Sequence, residues 1–242
     1  TLRDGGYYNA WDFSVDLIND YLEAMSAISV DYVELGFRSL EAGSFKGGCA
    51  YTTDNFIRKL NIPSNLKLGV MINASEIVNY KNGLVSALSK LFKPSSKSPV
   101  TLVRIACHMH EFESALPGCL WLKEMGYEVG INLMQIAERS KEEIEGAAYL
   151  ASQHPIDVLY FADSFGRMRS DEVERITLEI KKNWSSSIGI HTHNNMGHAI
   201  SNTLCAKKIG VSWHDCTITG MGRGAGNAES ELLVGEFVND DK

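Results

Sequence analysis

Three side chains of this 242-residue chain, Asp4, His191 and His193, are of types that together can hold a divalent metal ion. His191 and His193 follow the apolar run Ile188-Gly189-Ile190. On a strand, residues i and i+2 point to the same face. Two imidazoles at that spacing can bind one ion. Taken alone, the pair reads equally well as two histidines in a polar loop; its place at a strand end favours ligation. Asp4 stands before Gly5-Gly6 and offers a hard oxygen. One carboxylate with two imidazoles leaves positions open for substrate and water. The alternative for this segment is a turn, because Asp-Gly is a common turn dipeptide.

Other residues at the ends of apolar runs add to this set. Arg3 can stabilise a developing oxyanion. Glu34 lies inside Tyr32-Val-Glu-Leu-Gly-Phe37, where a carboxylate is costly unless paired. An ion pair with Arg3 is expected, with or without a catalytic role. His108 and His110 follow Leu102–Ala106 and can contact substrate or start a helix. Ser164, in Asp163-Ser-Phe-Gly166, can hydrogen-bond a substrate carboxylate or serve a turn. The loop Thr219–Ala228 holds Gly222 and Gly224, and backbone N–H groups in such loops bind anions. It lacks the Gly-Lys-Ser/Thr of a P-loop. Asn227 can reach a metal or cap the next helix. His198 reads as structural.

The elements that must position these groups are visible as short apolar runs. They are 31–36, 66–72, 100–106, 127–133, 157–162, 187–190 and 215–219, with Thr1-Leu2 read as the tail of one more strand ahead of them. Between them lie stretches with helical spacing, at Phe13–Ile28, Met109–Met125, Lys141–Ala151 and Asp171–Ile180. Strands alternating with helices imply a parallel sheet. Eight such units predict a (β/α)8 TIM barrel of one domain over 1–242, with catalytic groups at the C-terminal strand ends. A doubly wound open sheet is the alternative. The first strand and last helix are expected to be incomplete in this stretch.

Composition narrows the function. Hydrophobic residues make up 44%, enough for a sizeable core, and the net charge is −7. That charge argues against a nucleic-acid surface. No apolar run reaches the roughly 18 residues a membrane span needs, so no membrane partner is expected. Five scattered cysteines without a CxxC pair read as reduced thiols of a cytoplasmic protein.

Taken together, Thr1-Leu-Arg-Asp-Gly5, the strand glutamate Glu34, His191-x-His193 and Gly-x-Gly-x-x-x-Gly-Asn-Ala ending at Ala228 resemble the DRE-TIM metallolyase superfamily. The resemblance covers essentially the whole chain and is nearest to 4-hydroxy-2-oxovalerate aldolase-like proteins. It implies Asp4, His191 and His193 as metal ligands, with Asn227 at a position that ligates in some members. It implies Arg3 as the enolate-stabilising arginine and Glu34 as the family glutamate. The cofactor it implies is a divalent ion, Mn²⁺ or Mg²⁺ first, with Zn²⁺ or Co²⁺ as further candidates.

The expected reaction is cleavage or formation of a carbon–carbon bond of a 2-oxo acid through a metal-stabilised enolate. A 4-hydroxy-2-oxo acid would give pyruvate and an aldehyde. The partner is then a small 2-oxo acid, and a homo-oligomer is compatible with the sequence. A Claisen-type acyl-CoA synthase is one alternative reading, and a non-catalytic metal- or ligand-binding barrel is another. One departure stands out. Tyr7, followed by Tyr8, occupies the place where the aldolases carry a catalytic histidine. A phenol, with an ordinary pKa near 10, can act as an acid, or as a base only if that pKa falls. The loop Met221–Gly226 lacks the cysteine of HMG-CoA lyases. Lys67, at a strand start, is at the wrong end for the lysine of the biotin-dependent carboxyltransferases. Asn195 stands where the synthases and lyases usually have Asp.

Overall fold

The chain is described by a computed structural model that covers residues 1–40 and 46–240. Seven strands form one sheet: β1 (Tyr32–Phe37), β2 (Lys67–Asn73), β3 (Leu102–Cys107), β4 (Glu128–Leu133), β5 (Val158–Asp163), β6 (Ser187–Thr192) and β7 (Trp213–His214). They pair in parallel and in sequence order, β1 through β7. An order without reversal rules out the doubly wound alternative, which requires a switch point. The architecture is α/β, a parallel seven-stranded sheet curled into a half-barrel and wrapped by helices.

The long helices are α1 (Val15–Ala27), α2 (Leu84–Leu91), α3 (Phe112–Glu124), α4 (Lys141–Ser152), α5 (Ser170–Lys181), α6 (Ala199–Lys208) and α7 (Ser230–Asp240). Local chemistry sets their starts. Ser14 caps α1 by accepting the Leu17 N–H at 3.2 Å. Ser140 and Glu143 form a reciprocal capping box on α4. The apolar stripe of α1 buries Ile18, Leu22 and Met25, while Leu17 and Ile28 remain exposed. Among the described residues, no helix is long and apolar enough to cross a membrane.

Alternation along the strands divides the chemistry. Val33 and Leu35, Val70 and Ile72, Val103 and Ile105, Ile131, Leu159 and Phe161, and Ile188 and Ile190 join one apolar core with helix residues such as Ile18, Leu116, Ile144 and Ile176. The intervening residues therefore point away from the helices, into the barrel. They include Glu34, Arg104, Asn132, Tyr160 and His191. Large and small side chains alternate around this interior. Arg104 lies over the Tyr160 ring, 3.8 Å from its centroid, and Tyr160 packs edge-on to Trp213 at 6.3 Å. Gly189 on β6 makes room, since a Cβ there would overlap the Tyr160 ring.

Two strand expectations are corrected. Thr1-Leu2 is not the tail of a strand: Leu2–Gly5 is a helical turn, closed by the Gly5 N–H on the Thr1 carbonyl at 2.7 Å. This turn reaches from β1, where Arg3 pairs with Glu34, to the segment after β7, where the Ile218 N–H donates to Thr1 Oγ1 at 2.9 Å. No eighth strand forms among the described residues. The last strand is Trp213–His214, not 215–219. Beyond Asp215 the chain turns to the returning glycine loop: the Thr217 N–H bonds the Ala228 carbonyl at 3.0 Å and Thr219 has φ +52°. Neither feature can continue a ladder.

Candidate active site

The helical turn Leu2–Gly5 brings Arg3 and Asp4 to the C-terminal end of the barrel. The ends of β6 and β7 bring His191, His193 and Asp215 to meet them. A circuit of six buried or half-buried groups results. Arg3 Nε pairs with Glu34 Oε1, and Arg3 Nη1 lies 2.8 Å from Asp4 Oδ1. Glu34 Oε2 stands 3.3 Å from Arg104 Nη1, within ion-pair reach though outside hydrogen-bond geometry. Arg104 Nη2 donates to Asp215 Oδ2 at 2.8 Å, and the same oxygen is 2.9 Å from His191 Nδ1. His191 Nε2 faces Asp4 Oδ1 at 3.9 Å and closes the circuit.

The expected Arg3–Glu34 pair is thus present, and Arg104 and Asp215 extend it. Neither of the two was singled out from sequence. Arg104 sat inside an apolar run, the same signal that marked Glu34. The sequence places Asp215 at the start of a strand, whereas β7 ends one residue before it. Their pairing joins positions 111 residues apart, which no local pattern encodes.

Electrostatics follow from this circuit. Burial works against the ionised form of Asp215, but Arg104 and His191 hold its carboxyl well below the usual range. Asp4 is lowered in the same way: burial opposes ionisation, and Arg3 and His191 outweigh it. Asp215 holds the His191 ring through Nδ1 and turns Nε2 toward Asp4. Burial, with the neighbouring His191, pushes His193 down to about 3. His193 is therefore a neutral imidazole at physiological pH.

The His191 and His193 rings sit on one face, centroids 5.1 Å apart and 80° to each other. His193 bridges Asn227 across an antiparallel pair. Both amide atoms of Asn227 are buried without a hydrogen-bond partner, an arrangement that costs free energy unless something engages them. Gly222 lies against that amide, where a Cβ would collide with it. Among the described residues, no three His, Cys, Asp or Glu side chains stand close enough together to hold a metal ion as a group. One pair of donors, Asp4 and His191, is close enough to share an ion. Ligand bonds of roughly 2.0–2.2 Å put two donors of one ion at most about 4.3 Å apart, and the Asp4–His191 separation is 3.9 Å.

Arg3, Asp4, Tyr7, Ser164, His191 and His193 line one pocket of about 50 Å³, together with Asn73, Asn132 and Arg223. A single water needs roughly 10–15 Å³ in that measure, so the pocket holds a few waters or a small metabolite fragment. Ser164 Oγ accepts the Gln135 N–H at 2.9 Å, which leaves its O–H to donate. Tyr7 stands edge-on to Trp11 at 4.8 Å. Gly224 lies beside Asn195. His108 is not in the lining: its N–H donates to Glu111 at 2.9 Å and its ring stacks on His110 at 5.7 Å. Asp163 accepts the Arg167 and Met168 N–H groups, both at 3.1 Å, and organises the loop behind Ser164.

The neutral His193 has a measurable consequence. Its folded pKa of about 3 lies below the ordinary 6.5, so the unfolded chain takes up the proton first. Its stabilising contribution is complete above pH 6.5 and declines as the pH falls toward 3. Chemical denaturation across pH 8 to 4 is expected to show a level midpoint above 6.5 and a fall below it. In His193→Gln that fall becomes shallower.

A parallel α/β barrel with this arginine–aspartate turn and paired histidines defines the chain as a member of the DRE-TIM superfamily. More narrowly, it belongs to the HMGL-like family, whose model matches residues 119–239. A 4-hydroxy-2-oxovalerate aldolase of Pelotomaculum thermopropionicum is 32% identical over 237 residues, 97% of this chain and 67% of that protein. An oxaloacetate decarboxylase of Mycobacterium tuberculosis is 27% identical over the same shares. The chain thus spans about two thirds of the length of these relatives. Among solved structures, the N-terminal domain of a putative aldolase from Bacteroides vulgatus superposes with a TM-score of 0.86 at 31% identity, covering 100% of this chain and 78% of that one. Hydroxymethylglutaryl-CoA lyase from Pseudomonas aeruginosa shares the fold, with a TM-score of 0.74 at 14% identity over 99% of this chain and 83% of that one.

Proposed function

We propose that this chain is a carbon–carbon lyase that cleaves a 4-hydroxy-2-oxo acid to pyruvate and an aldehyde, with a divalent ion held by Asp4, His191, His193 and Asn227. The observation that carries this reading is the placement of Arg3 beside Asp4 and His191 in one pocket, backed by Glu34, Arg104 and Asp215. The aldolase names among relatives support it at the level of reaction class. A divalent ion held by these residues, Mn²⁺ or Mg²⁺, would supply Lewis acidity toward the 2-oxo group.

The chain's own groups do the rest. Arg3 has Nε on Glu34 and Nη1 on Asp4, so Nη2 is left to donate to the C2 oxygen as negative charge develops there. Ser164 donates its O–H to the substrate carboxylate. Tyr7, on the pocket wall, takes the place next to the C4 hydroxyl. In cleavage the C3–C4 bond breaks, the C4 hydroxyl loses its proton to leave an aldehyde, and the bonding pair stays on C3. A proton added at C3 completes pyruvate, and no further reactant is needed. The five cysteines are all free, which suits a reducing, cytoplasmic setting.

The test is pyruvate release from a panel of 4-hydroxy-2-oxo acids, with Mn²⁺ and with a chelator. Metal-dependent pyruvate formation is expected. Thiol release from acetyl-CoA and a 2-oxo acid, without aldol cleavage, would instead establish a Claisen-type synthase. Turnover in neither assay would leave a binding barrel.

A further inference from the structure

Arg223 is the pocket-lining cation that the reaction above does not use. It has no carboxylate within ion-pair distance among the described residues, although it lines the same cavity as Arg3 and Asp4. Its guanidinium carbon lies over the Tyr7 ring, 5.4 Å from the centroid. Tyr7 is itself braced by Trp11 and Phe37, at 4.8 and 6.4 Å. The backbone that presents Arg223 is equally fixed. Tyr8 donates its hydroxyl to the Gly222 carbonyl at 2.6 Å, and the Gly226 N–H bonds the Arg223 carbonyl at 3.0 Å. Gly226 has φ +87° and packs where a Cβ would strike the Gly220 carbonyl.

A guanidinium carried over an aromatic ring presents a planar fork, suited to gripping a carboxylate with two N–H groups. Charge in the pocket points the same way. Its lining carries two guanidiniums, Arg3 and Arg223, against the single carboxylate of Asp4. Arg3 is already balanced by Asp4 and Glu34. The 2-oxo acid end of a substrate is served by Arg3 and Ser164, so the uncompensated charge of Arg223 faces the other end. Against a phosphate, the small cavity and the planar fork favour the smaller, planar anion.

We propose that Arg223 selects substrates bearing a second carboxylate, on the side remote from the 2-oxo acid group. Resting on the lyase reading, this makes the substrate a 4-hydroxy-2-oxo diacid and the released aldehyde itself an oxo acid. The bond changes are those already given, because the second carboxylate is only held.

Two five-carbon 2-oxo acids that differ at the far end, 2-oxoglutarate and 2-oxopentanoate, test the proposal by calorimetric titration in the presence of Mn²⁺. The native protein is expected to bind 2-oxoglutarate at least about tenfold more tightly, equivalent to about 1.4 kcal/mol. Arg223→Met removes that difference, Arg223→Lys keeps part of it, and 2-oxopentanoate binds all three alike. Equal affinities in the native protein, or a difference that survives in Arg223→Met, overturn the proposal. Cleavage assays separate it from the lyase reading. Pyruvate release with no preference for diacids removes the role of Arg223 alone. Absent cleavage with the binding preference intact removes the lyase reading and keeps the anion site.

Discussion

Arg3→Lys is expected to cut turnover of a 4-hydroxy-2-oxo acid by about 10²–10³-fold, the effect of losing one oriented oxyanion donor, while divalent-metal binding survives. In the proposed mechanism the guanidinium of Arg3 does three things at once. Nε pairs with Glu34, Nη1 with Asp4, and Nη2 is left for substrate. An ammonium is a point charge on a flexible stem and cannot reproduce that planar fork. It would settle between Asp4 and Glu34, because two carboxylates attract it more than one carbonyl oxygen does. The loss should therefore appear in kcat more than in KM, since the missing contact strengthens only as charge develops. Native turnover in Arg3→Lys would remove Arg3 from the chemistry.

The second large effect is on stability. Arg104 sits between Glu34 at 3.3 Å and Asp215 at 2.8 Å, with its guanidinium 3.8 Å from the Tyr160 ring centroid. Arg104→Met keeps much of the apolar stem and deletes the charge. It leaves Glu34 with Arg3 and Asp215 with His191, each half-compensated inside the barrel. Breaking a buried ion pair by removing one partner costs about 3–5 kcal/mol. A chain of this size loses roughly 2–4 °C of Tm per kcal/mol, so scanning calorimetry should register a fall of roughly 6–20 °C. A Tm within about 2 °C of native would mean that the circuit is held by packing alone. Double replacement with Asp215→Asn should recover part of the loss, because it removes one of the stranded charges.

These two residues also mark where the sequence was and was not legible. The strands of the barrel were readable because their outward faces repeat Val, Ile and Leu at period two, as in Val103 and Ile105 or Ile188 and Ile190. Burial against helices imposes that repeat, so composition reports it. The histidine pair was readable for the same reason: strand alternation places His191 and His193 on one face. Arg3 and Glu34 were joined because a buried carboxylate demands a cation and a neighbouring strand end offered one. The same reasoning, applied to Arg104 in its apolar run, would have found a second buried charge. It could not have named Asp215, which meets Arg104 only because β3 and β7 curl toward each other across the barrel. The ends of the sheet were misread where local pattern gives way to tertiary contact. Thr1-Leu2 looks extended, yet the Thr1 carbonyl closes a helical turn. The run after His214 looks like a strand, yet its N–H groups scatter: Thr217 donates to the Ala228 carbonyl, Ile218 to Thr1 Oγ1 and Thr219 to the Glu231 carboxylate. Arg223 carried no signal at all, since an exposed arginine in a glycine loop is unremarkable until Tyr7 is seen beneath it.

Asp4 and the paired histidines are proposed to form one divalent-metal site. Direct measurement is metal stoichiometry by elemental analysis after dialysis against Mn²⁺, on the native protein, Asp4→Ala and His191→Ala. One ion per native chain, and none in either variant when both remain folded, is the expected result. Unchanged stoichiometry in both variants would contradict it.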